Sequence, residues 1–194
     1  MKKTVSLIGA PTDVGASVRG AGMGPDALRV AGIGDALRSH ALEVIDRGNL
    51  SGPPNPWKAP ANGIRHLPEV TAWNRAVFDA VSTDLAMGHV PLLMGGDHCL
   101  AIGSISAVAR QCRQEHKNLR VIWLDAHTDV NSEAISPSGN IHGMPVACLL
   151  GFGPEDLVGW SGERAAVDAG SLDFIGIRSV DACLLYTSPS PRDS

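Results

Sequence analysis

Arg120-Val121-Ile122-Trp123-Leu124-Asp125-Ala126-His127-Thr128-Asp129 is the stretch on which the fold turns. Its first half is an apolar run of strand length, and its second half sets carboxylate, imidazole and carboxylate at every other position. A short run that is apolar at successive positions reads as a parallel strand buried on both faces, because a sheet with one wet face would alternate. Ionisable side chains directly beyond the carboxyl end of such a strand stand where open α/β sheets collect their chemistry. In an extended chain, residues i, i+2 and i+4 face the same side, so Asp125, His127 and Asp129 are expected to point together.

The same arrangement recurs on either side of this stretch. The apolar run 90–94 is followed by Gly95-Gly96-Asp97-His98, and the run 174–177 by Arg178-Ser179-Val180-Asp181. Three strand ends are thus expected to deliver ionisable groups to one rim of one sheet. Strands are also expected at 5–8 and at 42–45, the latter closing in a charged turn, Asp46-Arg47-Gly48. Helical spacing of apolar residues covers 25–39, 68 to about 87 (closed by Gly88) and 99–113, with less regular helical stretches at 145–150 and within 155–168. Residues 51–60 carry four prolines and read as a loop, as does the Ser-, Pro- and Gly-rich run 131–140. Strands alternating with helix-sized crossovers predict the α/β class: a three-layer αβα arrangement around a mostly parallel sheet.

Composition narrows the function. In 194 residues, 44% are hydrophobic and 19% charged, which predicts a folded core. Sixteen Lys and Arg against 20 Asp and Glu give a net charge of −4, which argues against a nucleic-acid partner, since binding a phosphate backbone requires a basic face. No apolar run approaches the ~18 residues of a membrane span. The N-terminal residues, Met1 to Ile8, read as a first strand rather than a signal peptide. Cys99, Cys112, Cys148 and Cys183 form no C-x-x-C pair, so a reduced, cytoplasmic setting is expected.

Two carboxylates and an imidazole at the end of a buried strand are costly unless something neutralises them. A divalent cation does so, and oxygen with nitrogen donors suits manganese, zinc or iron better than a thiolate-seeking metal. His98 is expected to join from the neighbouring strand end, with the Gly95-Gly96 pair allowing a sharp turn and Asp97 accepting nearby N–H groups. Four protein ligands (His98, Asp125, His127 and Asp129) would close a single zinc site, whereas two cations sharing carboxylates leave a water to activate. Two cations want further donors, and no second pair stands out; Asp173 lies at the entrance of its strand, on the wrong end of the sheet.

Three strings carry a family resemblance: Met94-Gly95-Gly96-Asp97-His98; Asp125-Ala126-His127-Thr128-Asp129-Val130-Asn131; and Ser138-Gly139-Asn140-Ile141-His142-Gly143-Met144-Pro145-Val146. Together with Gly9-Ala10-Pro11-Thr12-Asp13-Val14-Gly15 and Gly24-Pro25-Asp26-Ala27-Leu28-Arg29, they resemble the ureohydrolases of the arginase family, from about residue 4 to about residue 182. The resemblance implies an arginase/deacetylase-like fold, incomplete at the C-terminus, and a hydrolase that converts L-arginine and water to L-ornithine and urea with a hydroxide bridging two Mn2+ ions. It places His98, Asp125, His127 and Asp129 on the metal, with Asp129 also passing a proton to the leaving amine. It makes His142 a proton shuttle, sets Asn131 and Ser138, with Asn140 nearby, on the substrate α-carboxylate, and sets Asp181 on the α-ammonium. It further implies a homotrimer or homohexamer. The Ser-Gly-Asn-x-His-Gly string favours L-arginine over agmatine; the sister reading is an agmatinase or another guanidino hydrolase, and the non-enzyme reading is a metal-binding remnant. From residue 183 the Ser- and Pro-rich run to Ser194 departs from the family. The expectation is a partial domain over 1–182, a non-native tail over 183–194, and a chain that lacks the later carboxylates and is inactive as written.

Overall fold

The computed structural model describes residues 3–180, so Asp181 and the run 183–194 lie outside the described residues. At its centre, β1 (Thr4–Ala10) pairs in parallel with β2 (Glu43–Asn49) on one edge and β3 (Val90–Gly95) on the other. Val5 and Leu7 pack with Met94 under Ile33 and Leu37, whereas Ile8 and Ala10 enter the larger core on the opposite face. A strand covered on both faces needs apolar residues at successive positions, and β1 has them from Val5 to Ala10, save the buried Ser6 and Gly9.

The helical run expected over 25–39 is two helices, α1 (Gly24–Val30) and α2 (Ile33–Ser39). Gly32 at φ 81 breaks it, a left-handed conformation that glycine adopts without steric cost. β2 runs through the segment expected as a turn. Asp46 is held there by two hydrogen bonds from Arg29 (2.8 and 3.0 Å), and Arg47 donates to the buried carboxylate of Asp84. Gly48 at φ 75 supplies the extra residue where the β1–β2 register shifts between Leu7 and Gly9. An edge strand tolerates such charges because one of its sides faces water.

The 20-residue α3 (Leu67–Ala86) buries Val70, Trp73, Val77, Phe78 and Val81 along one stripe. It lies against α4 (Ala101–Gln114), and Gly103 is the point of closest approach, where a Cβ would stand 2.3 Å from the Asn74 carbonyl oxygen. Asn74 Oδ1 also accepts the Gly103 N–H (2.7 Å), satisfying one of the donors that a helix leaves unpaired in its first turn.

β4 (Val121–Leu124) and β5 (Leu172–Ile175) form a second, parallel two-stranded sheet. All strand pairs are parallel, as the α/β reading requires, but the single sheet rim expected from the sequence is divided among the described residues between two sheets. β4 is also not buried on both faces. Val121 and Trp123 pack against α4 and α5 (Pro145–Leu149), while Ile122 is 58% and Leu124 71% exposed. The register sets Leu124 beside Ile175 and Ile122 beside Asp173, and among the described residues nothing covers that face. β5 begins two residues before the expected 174, and 155–168 holds only a 3-10 turn at Glu155–Leu157. Asp173 pairs with Arg120 at the entrance end of the sheet, away from the ionisable cluster. No described helix is long and apolar enough to cross a membrane.

Candidate metal centre

His98 follows β3 and Asp125 follows β4, yet the two meet. His98 Nδ1 lies 2.9 Å from Asp125 Oδ2 and 2.8 Å from Asp129 Oδ2. The imidazole stacks on the buried Trp123 ring, with centroids 4.3 Å apart, which fixes its plane from one side. The approach to His98 is held by Asp97, whose Oδ1 accepts the Cys99 N–H (2.9 Å) and caps the 3-10 turn His98–Leu100, in the N–H-accepting role expected of it.

The glycines before it serve a different purpose from the one expected. Neither Gly95 nor Gly96 takes a positive φ. Instead a Cβ on Gly96 would stand 2.4 Å from both the Thr12 and the Ala21 carbonyl oxygens, and one on Gly24 would stand 2.3 Å from the Gly95 oxygen. Close backbone approach, not a sharp turn, demands glycine here. Gly96→Ala is therefore expected to destabilise the fold by about 1–3 kcal/mol, as overpacking does, and to weaken cation binding by displacing His98. Urea unfolding and a Mn2+ titration of the variant check this; wild-type behaviour in both would remove the steric argument.

Asp125, His127 and Asp129 also converge by a route other than strand alternation. β4 ends at Leu124, and the Asp125 carboxylate accepts the His127 N–H (2.9 Å), folding the chain into a turn. Asp129 then adopts φ 50, uncommon for a residue with a side chain. Its carbonyl accepts the Val146 N–H (3.0 Å) at the start of α5, while its buried carboxylate turns to His98. One donor atom each from His98, Asp125 and Asp129 falls within a 4.8 Å cluster. His127 stands at the rim, its side chain 63% exposed and its Nδ1 3.4 Å from Asp125 Oδ1.

Burial works against a charge on His98, but the hydrogen bond to Asp129 and the charges of Asp129, Asp125 and Asp97 outweigh it and raise its pKa above the ordinary 6.5. Burial pushes the Asp125 carboxyl up, but the His127 N–H and the His98 charge more than offset this and leave its pKa lowered. When protonated, His98 pairs with both carboxylates, and a divalent cation would take the proton's place among oxygen and imidazole donors. His98 Nδ1 cannot both keep that proton and ligate. Divalent-cation affinity is accordingly expected to climb as the pH rises through the raised pKa of His98, with a proton released on binding. Calorimetry in buffers of different ionisation enthalpy reads that proton; an affinity indifferent to pH would take His98 out of the donor set.

Two adjoining cavities open from the cluster. One, of about 250 Å³, is lined by Gly96, Asp97, His98 and Asp125. The other, of about 310 Å³, is lined by Asn131, Ser136, Ser138 and Asn140. His127, Asp129 and His142 line both and so stand between the ionisable end and the amide-and-hydroxyl end. A model of the arginase family matches residues 3–187. The chain belongs to the arginase family. The arginase of Brevibacillus brevis is 41% identical over 181 residues, which make up 93% of this chain and 59% of that protein. The crystal structure of the Bacillus caldovelox arginase superposes with a TM-score of 0.84 at 37% identity, covering 96% of this chain and 62% of the other. That of the Entamoeba histolytica arginase in complex with L-ornithine superposes with a TM-score of 0.83 at 30% identity. The chain thus spans about three fifths of the length of these relatives.

Within this arginase-family chain, Asn131, Ser138, Asn140 and His142 line one cavity, while Asp181 lies outside the described residues. The Asn140 amide is already engaged: its Oδ1 accepts from Arg65 Nε (2.9 Å) and its Nδ2 donates to Ser17 Oγ (3.1 Å). Sequence reading passes over Ser136 and Thr128, which also line the cavity. Ser136 Oγ accepts the Gly139 N–H (3.1 Å) and closes the loop, a turn signature visible as a serine three residues before a glycine.

Proposed function

We propose that the chain is part of an arginase-type hydrolase that splits L-arginine with water into L-ornithine and urea, with a manganese pair as its metal. The observation that carries this reading is the convergence of His98, Asp125 and Asp129 at one end of a cleft whose other end offers neutral amide and hydroxyl groups. The donor chemistry fits a divalent cation, and His127, whose Nδ1 lies 3.4 Å from Asp125 Oδ1, would add a fourth ligand. Such a cation, when bound, lowers the pKa of water and polarises the group under attack.

In this reading the substrate guanidinium lies at the ionisable end, and its α-carboxylate accepts hydrogen bonds from the Asn131 amide and the Ser138 hydroxyl. The Asp129 carboxylate, on the boundary of both cavities, takes a proton from the attacking water and delivers it to the amine nitrogen as its bond to the guanidinium carbon breaks. His142, on the same boundary, exchanges the other proton of that water with solvent. Its backbone is pinned by the hydrogen bond from its N–H to the Gly15 carbonyl (3.2 Å).

The grouped donors of the described residues suffice for one cation and fall short of two, so we infer metal binding with little turnover from this stretch alone. Electron paramagnetic resonance of Mn2+ titrated with the chain, followed by L-ornithine or putrescine, tests the reading. One tightly held ion per chain, with L-ornithine binding ahead of putrescine, is the expected result. Preference for putrescine would move the substrate to agmatine-like amines, and a folded chain that binds no Mn2+ would reject the reading.

A further inference from the structure

The loop that carries Ser138 and Asn140 has little regular structure beyond the 3-10 turn Ile141–Gly143, yet Asn140 and Ile141 are buried. Its fixation comes from a residue distant in sequence. Arg65 N–H donates to the Gly139 carbonyl (2.8 Å), and Arg65 Nε donates to Asn140 Oδ1 (2.9 Å). The same guanidinium donates through Nη1 to the Lys58 carbonyl. Lys58 N–H is in turn anchored on His66 Nε2 (3.0 Å), and the His66 ring is tied through Nδ1 to the Val14 carbonyl (2.9 Å). The two segments touch so closely that a Cβ on Gly139, at φ 67, would stand 2.7 Å from the Gly63 oxygen.

We propose that Arg65 is a positioning residue whose forked guanidinium sets the loop 138–142, and that selectivity for an amino acid over the corresponding amine depends on it. The proposal rests on reading that loop as the carboxylate end of the cleft. The chemistry asks for a fork: one planar cation reaches the Lys58 carbonyl and the Asn140 amide oxygen at once, through donors on different nitrogens. A lysine ammonium is a point donor on a flexible stem and cannot hold both in the same geometry. With the fork gone, Asn140 Oδ1 is left buried without its charged donor. The amide then keeps only its Nδ2 bond to Ser17 Oγ (3.1 Å), and the backbone it steadies, whose Asn140 N–H donates to Ser138 Oγ (3.2 Å), loses its tie to Arg65 Nε. Arg65 itself lines neither cavity of the cleft, so its effect passes through Asn140 and Ser138.

The test compares the 194-residue chain with Arg65→Lys and Arg65→Ala, each loaded with Mn2+. Arg65→Lys keeps the backbone bond to Gly139 and removes only the fork. Both variants are expected to bind L-ornithine about tenfold more weakly, to bind putrescine within about twofold of the unaltered chain, and to hold Mn2+ within about twofold. Amide hydrogen exchange at 139–143 is expected to quicken about tenfold in both, while exchange in α3 stays unchanged. Equal loss of L-ornithine and putrescine, or exchange at 139–143 that does not respond, would overturn the proposal. An unaltered chain that binds Mn2+ but not L-ornithine would instead strike down the substrate reading and the selectivity drawn from it, and the exchange measurement would still decide whether Arg65 sets the loop.

Discussion

Asp129→Asn is expected to lower divalent-cation affinity by at least about 100-fold, the upper end of what losing even an outer partner of a metal ligand costs, without unfolding the chain. The substitution is unusually clean at this position. Asp129 sits at φ 50, a conformation that asparagine adopts as readily as aspartate, so the backbone and its hydrogen bond from Val146 N–H can stay in place. What changes is charge: Asp129 is the most buried of the three clustered side chains and the partner closest to His98 Nδ1, at 2.8 Å. Equilibrium dialysis against Mn2+, with circular dichroism as the folding control, measures the effect. Undiminished metal content in a folded variant would mean that Asp129 is not a ligand.

The second large effect lies far from the metal. Phe78→Ala should destabilise the chain by about 3–5 kcal/mol, the range for deleting a buried aromatic ring. Phe78 is 2% exposed on the inner stripe of α3. Its ring meets Trp160 edge-on, with centroids 5.9 Å apart, and the Arg110 guanidinium lies 4.6 Å from its centroid. Truncation therefore removes core volume, an aromatic pair and a cation–π contact together. Because a domain's net stability is only about 5–15 kcal/mol, the urea midpoint should fall sharply or the transition be lost. Val30→Ala, at a position 90% exposed, should shift the same curve by less than about 0.5 kcal/mol. Equal shifts in the two variants would contradict the placement of the core.

Local, repeated patterns are what the sequence made legible. The stripe from Val70 to Val81 placed α3 to within a residue at each end, because a long helix with one buried face repeats its signal many times over. The strand-end rule found His98, Asp125 and Asp129 because charge directly beyond an apolar run is unusual whatever lies around it. The errors arose where the deciding contact is distant. Nothing local in Ile122 and Leu124 says that the face they share is uncovered among the described residues, since hydrophobicity records what a residue prefers and not what covers it. Gly96 is glycine because the Thr12 and Ala21 carbonyls crowd it from other segments. Asp46 and Arg47 read as a turn until Arg29 and Asp84 are seen to meet them. Arg65 gave no signal at all, because its partner Asn140 is 75 residues away.

The most direct measurement is an anomalous difference map at the manganese edge from crystals of this chain grown with Mn2+. The account predicts a peak within about 2.0–2.4 Å of His98 Nδ1 and of carboxylate oxygens of both Asp125 and Asp129. An ordered chain with manganese bound elsewhere, or with these three side chains in place and no peak between them, would contradict it.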